Sequence, residues 1–132
     1  MRKHPALVFS ILWLGCAALQ AAELKTLVFM TDFGTKDSAV AVCKGVMWKI
    51  KPDLRIVDLT HEVPPYDIAA AGRLLEQTLP FYPEGTVFVA VIDPGVGGPR
   101  QSVAVRTKNG HFLVGPDNGL FAAAVALEGL DQ

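Results

Sequence analysis

The chain has 132 residues, with 12 Lys and Arg against 13 Asp and Glu and 51% hydrophobic residues. That length holds about one domain, and a charge so close to balance offers no basic face for a nucleic-acid backbone. The two cysteines are too few for a disulfide framework or a cysteine metal cluster.

The chain opens on Arg2-Lys3-His4, runs almost wholly apolar from Ala6 to Leu19, and reaches small residues at Ala21-Ala22. This is the three-part layout of a secretory signal peptide. We read it over residues 1–22, with cleavage near Ala21 or Ala22. The run is short beside the roughly 20 residues of a membrane span, so a hydrophobic anchor is the lesser reading. A lipoprotein signal ending at Cys16 is another, though Trp13 spoils its pattern. Removing residues 1–21 takes Arg2 and Lys3 from the basic side chains and no acidic one, leaving 10 against 13, a formal charge of −3. Cys43 is then the only cysteine, placed by its helical pattern in the core.

Residues 23–132 read as one domain. Leu27-Val28-Phe29-Met30 is a short continuous apolar run ended by Thr31-Asp32-Phe33-Gly34, the pattern of a strand buried on both faces. Between residues 38 and 50 apolar residues recur at helical spacing, as Val42, Val46 and Ile50 and as Ala39, Val40 and Met47. Lys51-Pro52-Asp53 ends this amphipathic helix. A second strand is expected over 55–59, then a helix from Asp67, its predicted N-cap, through Leu79, closed by Pro80 and Pro83. Residues 86–92 are the best strand of the chain, β-branched and apolar, and lead into Asp93-Pro94-Gly95-Val96-Gly97-Gly98-Pro99-Arg100. Strands over 102–107 and 111–114 flank Lys108-Asn109-Gly110, a hairpin signal. Pro116-Asp117-Asn118-Gly119 opens a last, alanine-rich helix. Strands alternating with helices predict a three-layer α/β domain with a mostly parallel sheet flanked by helices.

Ligands of such sheets bind beyond the carboxyl ends of the strands, where loops converge and helix N-termini point. Three polar clusters fall there: Thr31 to Asp37, Thr60-His61, and the loop from Asp93 to Arg100. Asp32, an acceptor-only carboxylate at a strand terminus, suits a vicinal diol, and it equally suits a turn or helix cap. The glycine-rich loop brings an acid and a guanidinium together and lets a ligand approach main-chain N–H groups. Alternatively, Asp93 and Arg100 merely pin that loop. His61 is a ligand, a base, or a hydrogen-bonded structural residue, the commonest place of a lone histidine. A dinucleotide fingerprint, phosphate loop, nucleophile elbow and His-Glu-x-x-His are all missing. A metal-dependent hydrolase built on Asp32, Asp58 and Asp93 has the right residue types without a supporting histidine cluster.

Read together, Thr31-Asp32-Phe33-Gly34, Lys44-Gly45-Val46, Ile56-Val57-Asp58-Leu59-Thr60-His61, Pro83-Glu84-Gly85-Thr86-Val87, Val91-Ile92-Asp93-Pro94-Gly95-Val96-Gly97 and Val114-Gly115-Pro116-Asp117-Asn118-Gly119-Leu120 resemble, in order and spacing, the S-adenosyl-L-methionine hydroxide adenosyltransferases, relatives of the fluorinases and chlorinases. The similarity spans roughly residues 27–120. It implies the family's N-terminal α/β domain, with its smaller C-terminal β domain absent from this chain, and a homotrimer whose sites lie between subunits. It also implies displacement of methionine from the 5′ carbon of S-adenosylmethionine (SAM), a substrate that needs no cofactor and no metal. By motif, Asp32 would bind the ribose hydroxyls, Asp37 and Ser38 would line the substrate pocket, and Tyr66 would pack on the nucleoside. Asp93 and Arg100 match two members of the Asp-Arg-His set that prepares water in the hydroxide enzymes. The halogenases carry a tyrosine where this chain has Asp93, so water is the expected nucleophile.

The third member of that set, a histidine in a later His-Gly-Arg-Asp-like segment, is expected beyond Gln132, as are the adenine and methionine contacts. His61 and His111 lie in other motifs. Two readings of the whole follow: part of a SAM hydrolase forming adenosine and methionine, inactive by itself, or a non-catalytic chain that binds a nucleoside or a partner. The signal peptide predicts export across the inner membrane to the periplasm, with no stable membrane span after cleavage, although SAM is a cytosolic metabolite.

Overall fold

The computed structural model describes residues 26–132; the expected signal peptide lies outside them. Five strands and three helices follow one another as β1 (Thr26–Thr31), α1 (Ala39–Ile50), β2 (Arg55–Thr60), α2 (Ile68–Thr78), β3 (Val87–Val91), β4 (Ser102–Arg106), β5 (Phe112–Pro116) and α3 (Ala122–Glu128), with a 3-10 turn over Leu79–Phe81. The sheet order is β2-β1-β3-β5-β4. All pairings are parallel except β4 with β5, in keeping with the mostly parallel α/β sheet expected. No helix among the described residues is long and apolar enough to cross a membrane.

Strand β1 lies inside the sheet, between β2 and β3, because nearly every residue in it can be buried: Leu27, Val28, Phe29, Met30 and Thr31 are all inside. From β1 the chain steps through α1 to one side, and from β2 it returns through α2 to the other side of β1. With right-handed crossovers this places α1 and α2 on opposite faces of the sheet. One face carries Val28, Met30, Phe88, Ala90, Ile92 and Leu113 against Ala71 and Leu75 of α2 and Phe121 and Ala124 around α3. Asp67 caps α2 as its residue type predicts, its Oδ1 accepting from the Ala70 N–H at 2.8 Å. The helix gives way to the 3-10 turn one residue earlier than expected, because Pro80 brings no N–H to continue the ladder.

Helix α1 departs from expectation in what it buries. Its span agrees within a residue, yet none of its residues is fully buried. Ala39, Val40, Cys43 and Met47 form the half-covered side, while Val42, Val46 and Ile50 point outward, Ile50 being 81% exposed. Apolar residues occupy both sides of this helix, so periodicity alone could not choose the inner one. Cys43, expected in the core, is accordingly only half-buried.

The hairpin joining β4 to β5 closes with the Thr107 N–H on the His111 carbonyl at 2.9 Å and the Gly110 N–H on the Thr107 carbonyl at 3.0 Å. Its three-residue connection ends on Gly110 at φ 81°, the left-handed position that such loops require. A Cβ there would also run into the Glu84 side chain. Gly110→Ala is therefore expected to destabilise the domain by about 1–2 kcal/mol, measured as a lower urea midpoint at unchanged slope, whereas Asn109→Ala should cost less.

Candidate functional site

Strand order reverses between β1 and β3, the point where an open α/β sheet leaves a crevice beyond its carboxyl edge. A cleft of about 570 Å³ lies there, lined by Asp32 and Phe33 after β1, Pro65 and Tyr66 after β2, and Val91, Asp93, Pro94 and Val96 at the end of β3. Asp32, Tyr66 and Asp93 are thus brought together from sequence positions far apart. Arg100 joins them through Asp93.

Asp93 is buried, 8% exposed. Its Oδ1 accepts from the Gly95 N–H at 3.0 Å and from Arg100 Nε at 2.7 Å, while Arg100 Nη2 meets Oδ2. This is a two-point, fork-on-carboxylate pair, which fixes both planes. The third guanidinium nitrogen donates to the Gln101 carbonyl at 3.1 Å. Asn118 anchors the start of the same loop: its Nδ2 donates to the Ile92 carbonyl at 2.9 Å, and its Oδ1 receives the Leu120 N–H at 3.2 Å. The Pro116 to Gly119 motif thereby positions the Asp93 loop as well as leading to α3, a function its residue types did not disclose.

Asp32 reaches across the mouth of the cleft, its Oδ2 accepting from the Tyr66 N–H at 2.8 Å. Tyr66 sits at φ 64°, the only positive φ among described non-glycine residues. A left-handed tyrosine costs about 1–2 kcal/mol, and the Asp32 carboxylate helps to hold it. Tyr66 remains 67% exposed and lines the cleft. Asp32 keeps its other oxygen, and a further lone pair on the first, for a ligand.

Asp37 and Ser38 do not line this cleft. Asp37 Oδ1 accepts from the Ala39 N–H at 2.9 Å at the start of α1, and both residues are exposed. Asp58 likewise lies elsewhere, paired with Lys44 at 2.5 Å and 3.1 Å from His61 Nε2. Asp32, Asp58 and Asp93 do not converge, and among the described residues no group of three His, Cys, Asp or Glu is placed to hold a metal ion.

His61 is buried, and its Nδ1 lies 2.9 Å from Thr31 Oγ1. With Nε2 facing the Asp58 carboxylate, the partners assign the proton to Nε2 and leave Nδ1 to accept from the Thr31 hydroxyl. Thr31 Oγ1 receives the Phe33 N–H at 3.2 Å, and the His61 carbonyl takes the Gly34 N–H at 2.7 Å. The chain from Asp58 through His61 to Thr31 braces the turn that presents Asp32.

The arrangement defines an α/β domain with an open cleft at the switch point of its sheet and a guanidinium–carboxylate pair at one wall. A family model described as the SAM hydroxide adenosyltransferase N-terminal domain matches residues 27–131, and the chain belongs to that family. It is 49% identical over 104 residues to the (R)-S-adenosyl-L-methionine hydrolase of Salinispora arenicola (strain CNS-205), covering 78% of this chain and 39% of that protein. It is 43% identical over 82 residues to a fluorinase of Actinoplanes sp. (strain N902-109), covering 62% of this chain and 28% of the fluorinase. Among solved structures, an uncharacterized conserved protein from Thermotoga maritima superposes with a TM-score of 0.78 at 37% identity, over 80% of this chain and 40% of that one. The chain thus spans about two fifths of the length of the hydrolase it matches.

Burial pushes the Asp58 carboxyl up, but the hydrogen bonds from Lys44 and His61 outweigh it and leave its pKa below the ordinary carboxylate value. A depressed folded-state pKa adds stability above the unfolded value, near 4, and loses it as pH falls through the folded one. Asp58 is 43% exposed on its side chain, so Asp58→Asn should cost no more than about 1 kcal/mol at pH 7. The difference from the parent should shrink as urea unfolding is repeated below pH 4; an Asn variant equally destabilised at every pH would refute the ion-pair account.

Proposed function

We propose that the protein carrying this domain hydrolyses SAM to adenosine and L-methionine by attack of water on the 5′ carbon of the ribose. The observation that carries this reading is the Asp93–Arg100 pair beside the cleft that Asp32 and Tyr66 also line, in a chain similar over most of its length to a protein named as a SAM hydrolase. Asp32 receives the ribose hydroxyls on the oxygen capacity that Tyr66 leaves free, and the Tyr66 ring covers the nucleoside. The Arg100 guanidinium favours the hydroxide form of a nearby water, and its pairing with the buried Asp93 carboxylate keeps that charge in place without reorganisation.

In the reaction the water oxygen forms a bond to the 5′ carbon as the carbon–sulfur bond breaks. The bonding pair passes to sulfur, which turns from a sulfonium into the neutral thioether of methionine, and the proton of the water leaves to solvent. Attraction between hydroxide and sulfonium in a low-dielectric cleft assists the in-line approach. A carboxylate at position 93, where the halogenases carry a tyrosine, supports water over a halide as nucleophile.

The rest of the reading is of the complete protein: a homotrimer with sites finished by a neighbouring subunit, exported to the periplasm, using no cofactor. Asp37 and Ser38 belong to it only where a ligand or neighbour extends the cleft toward the start of α1.

The test is release of adenosine and methionine from SAM by the complete protein. Equimolar release is expected, and Asp93→Asn should lower kcat by about 100-fold or more with KM nearly unchanged. Asp32→Ala should instead weaken adenosine binding by about ten- to a hundredfold. Adenosine binding without release would favour the non-catalytic reading, and full turnover in the Asp93 variant would remove Asp93 from the mechanism.

A further inference from the structure

Strands β1 and β2 do not keep one register. Phe29 lies opposite Asp58, yet the next residue, Met30, lies opposite Thr60, so β2 carries an extra residue at Leu59. Bulges of this kind re-aim side chains and are frequent beside functional sites. In a regular strand, residues three apart face opposite sides of the sheet, which would keep Asp58 and His61 apart. With the slip they meet, Asp58 Oδ1 standing 3.1 Å from His61 Nε2. The same slip brings His61 level with Thr31 instead of one residue beyond it.

Three contacts then fix the imidazole. Its Nδ1 lies 2.9 Å from Thr31 Oγ1, its Nε2 faces Asp58, and the Phe29 ring meets it edge-on with centroids 5.0 Å apart. The two amides that follow Asp32 both end on this assembly: the Phe33 N–H donates to Thr31 Oγ1 and the Gly34 N–H to the His61 carbonyl. An imidazole between a carboxylate and a hydroxyl is also how a nucleophile is activated. Thr31 is 0% exposed, however, so no substrate carbon reaches its oxygen. The hydroxyl acts on the backbone: with Nδ1 as its acceptor, it keeps its own oxygen free to receive the Phe33 N–H.

We propose that His61, brought beside Thr31 by the slip in β2, is a positioning residue for Asp32 and sets the affinity of the cleft for a vicinal diol. It touches no ligand. It holds the turn on which the Asp32 carboxylate stands, so that one oxygen meets the Tyr66 N–H while the other faces the cleft. A carboxylate aimed in this way receives two hydroxyl protons together; one that swings receives them in turn and binds more weakly. The inference rests on the reading of Asp32 as the residue that receives the ribose hydroxyls.

The test compares adenosine with 2′,3′-dideoxyadenosine, which lacks the diol, as ligands of the complete protein. His61→Gln places its amide where Nε2 stood and leaves Thr31 without its acceptor, whereas His61→Asn places Oδ1 where Nδ1 stood and keeps it. His61→Gln should weaken adenosine by about tenfold and dideoxyadenosine by no more than about twofold, and His61→Asn should restore most of the loss. Thr31→Val removes the hydroxyl at nearly the same shape and should repeat the Gln result, so the test does not hang on one variant folding. A second readout needs no ligand. In the full chain labelled with 15N-tyrosine, the Tyr66 amide should exchange about tenfold faster in the Gln variant; the Tyr82 amide, bonded to the Leu79 carbonyl at 3.1 Å, should not change. Equal weakening of the two nucleosides, an Asn variant no better than Gln, or an unchanged Tyr66 amide would overturn the proposal. A parent protein that binds both nucleosides equally would overturn diol recognition by Asp32 itself, and the Tyr66 amide would still decide whether His61 positions it.

Discussion

The parallel ladder between β1 and β3 sets Thr31 opposite Val91, and most of the candidate site follows from that register. One residue beyond Thr31 stands Asp32; two beyond Val91 stands Asp93. Because side chains alternate across a strand, slipping the pairing by one residue would turn the inward set of each strand to the wrong face. Burial on both faces of β1 makes such a slip very costly, so a hydrophobic requirement in the middle of the sheet fixes where two carboxylates meet at its edge.

Those carboxylates are held in different ways. Asp93 is nearly enclosed and survives there because Arg100 and the Gly95 amide satisfy it; losing the guanidinium would leave a buried charge uncompensated, a larger penalty than the pair itself is worth. Asp32 is half-exposed and holds a strained backbone at Tyr66. The first is a fixed electrostatic element, the second a clasp between two loops. Both loops are braced from behind, one by Asn118 on the Ile92 carbonyl and the other by His61 on Thr31. Rigid strands, short loops and side-chain braces together give the preorganisation that charge stabilisation in a cleft needs.

Much of this was legible from residue types. The continuous apolar run before Thr31, the Asp67 cap and the Asn109-Gly110 turn each have a local cause, and each is found within a residue or two of where it was expected. Asp32, Tyr66, Asp93 and Arg100 were identifiable from motifs, and the structure gathers them in or against one cleft. Asn118 and the Asp58–His61–Thr31 brace were not, since they act between segments about 30 residues apart in sequence and join only once β1, β2, β3 and β5 are aligned. The outward turn of Val42, Val46 and Ile50 on α1 escaped for a related reason: a helix apolar on two sides carries no local signal of which side the sheet will take.

By itself, then, the sequence determined the elements, the α/β class, the family and the residue types of the site, because propensity, patterning and motif spacing are properties of short segments. The tertiary structure alone decided that Asp32 would clasp Tyr66, that Asp93 would be sealed against Arg100, and that Asp37 and Ser38 would stand outside the cleft. Each of these depends on strand order and register, which arise from burial summed over the whole sheet, and no short segment contains that sum.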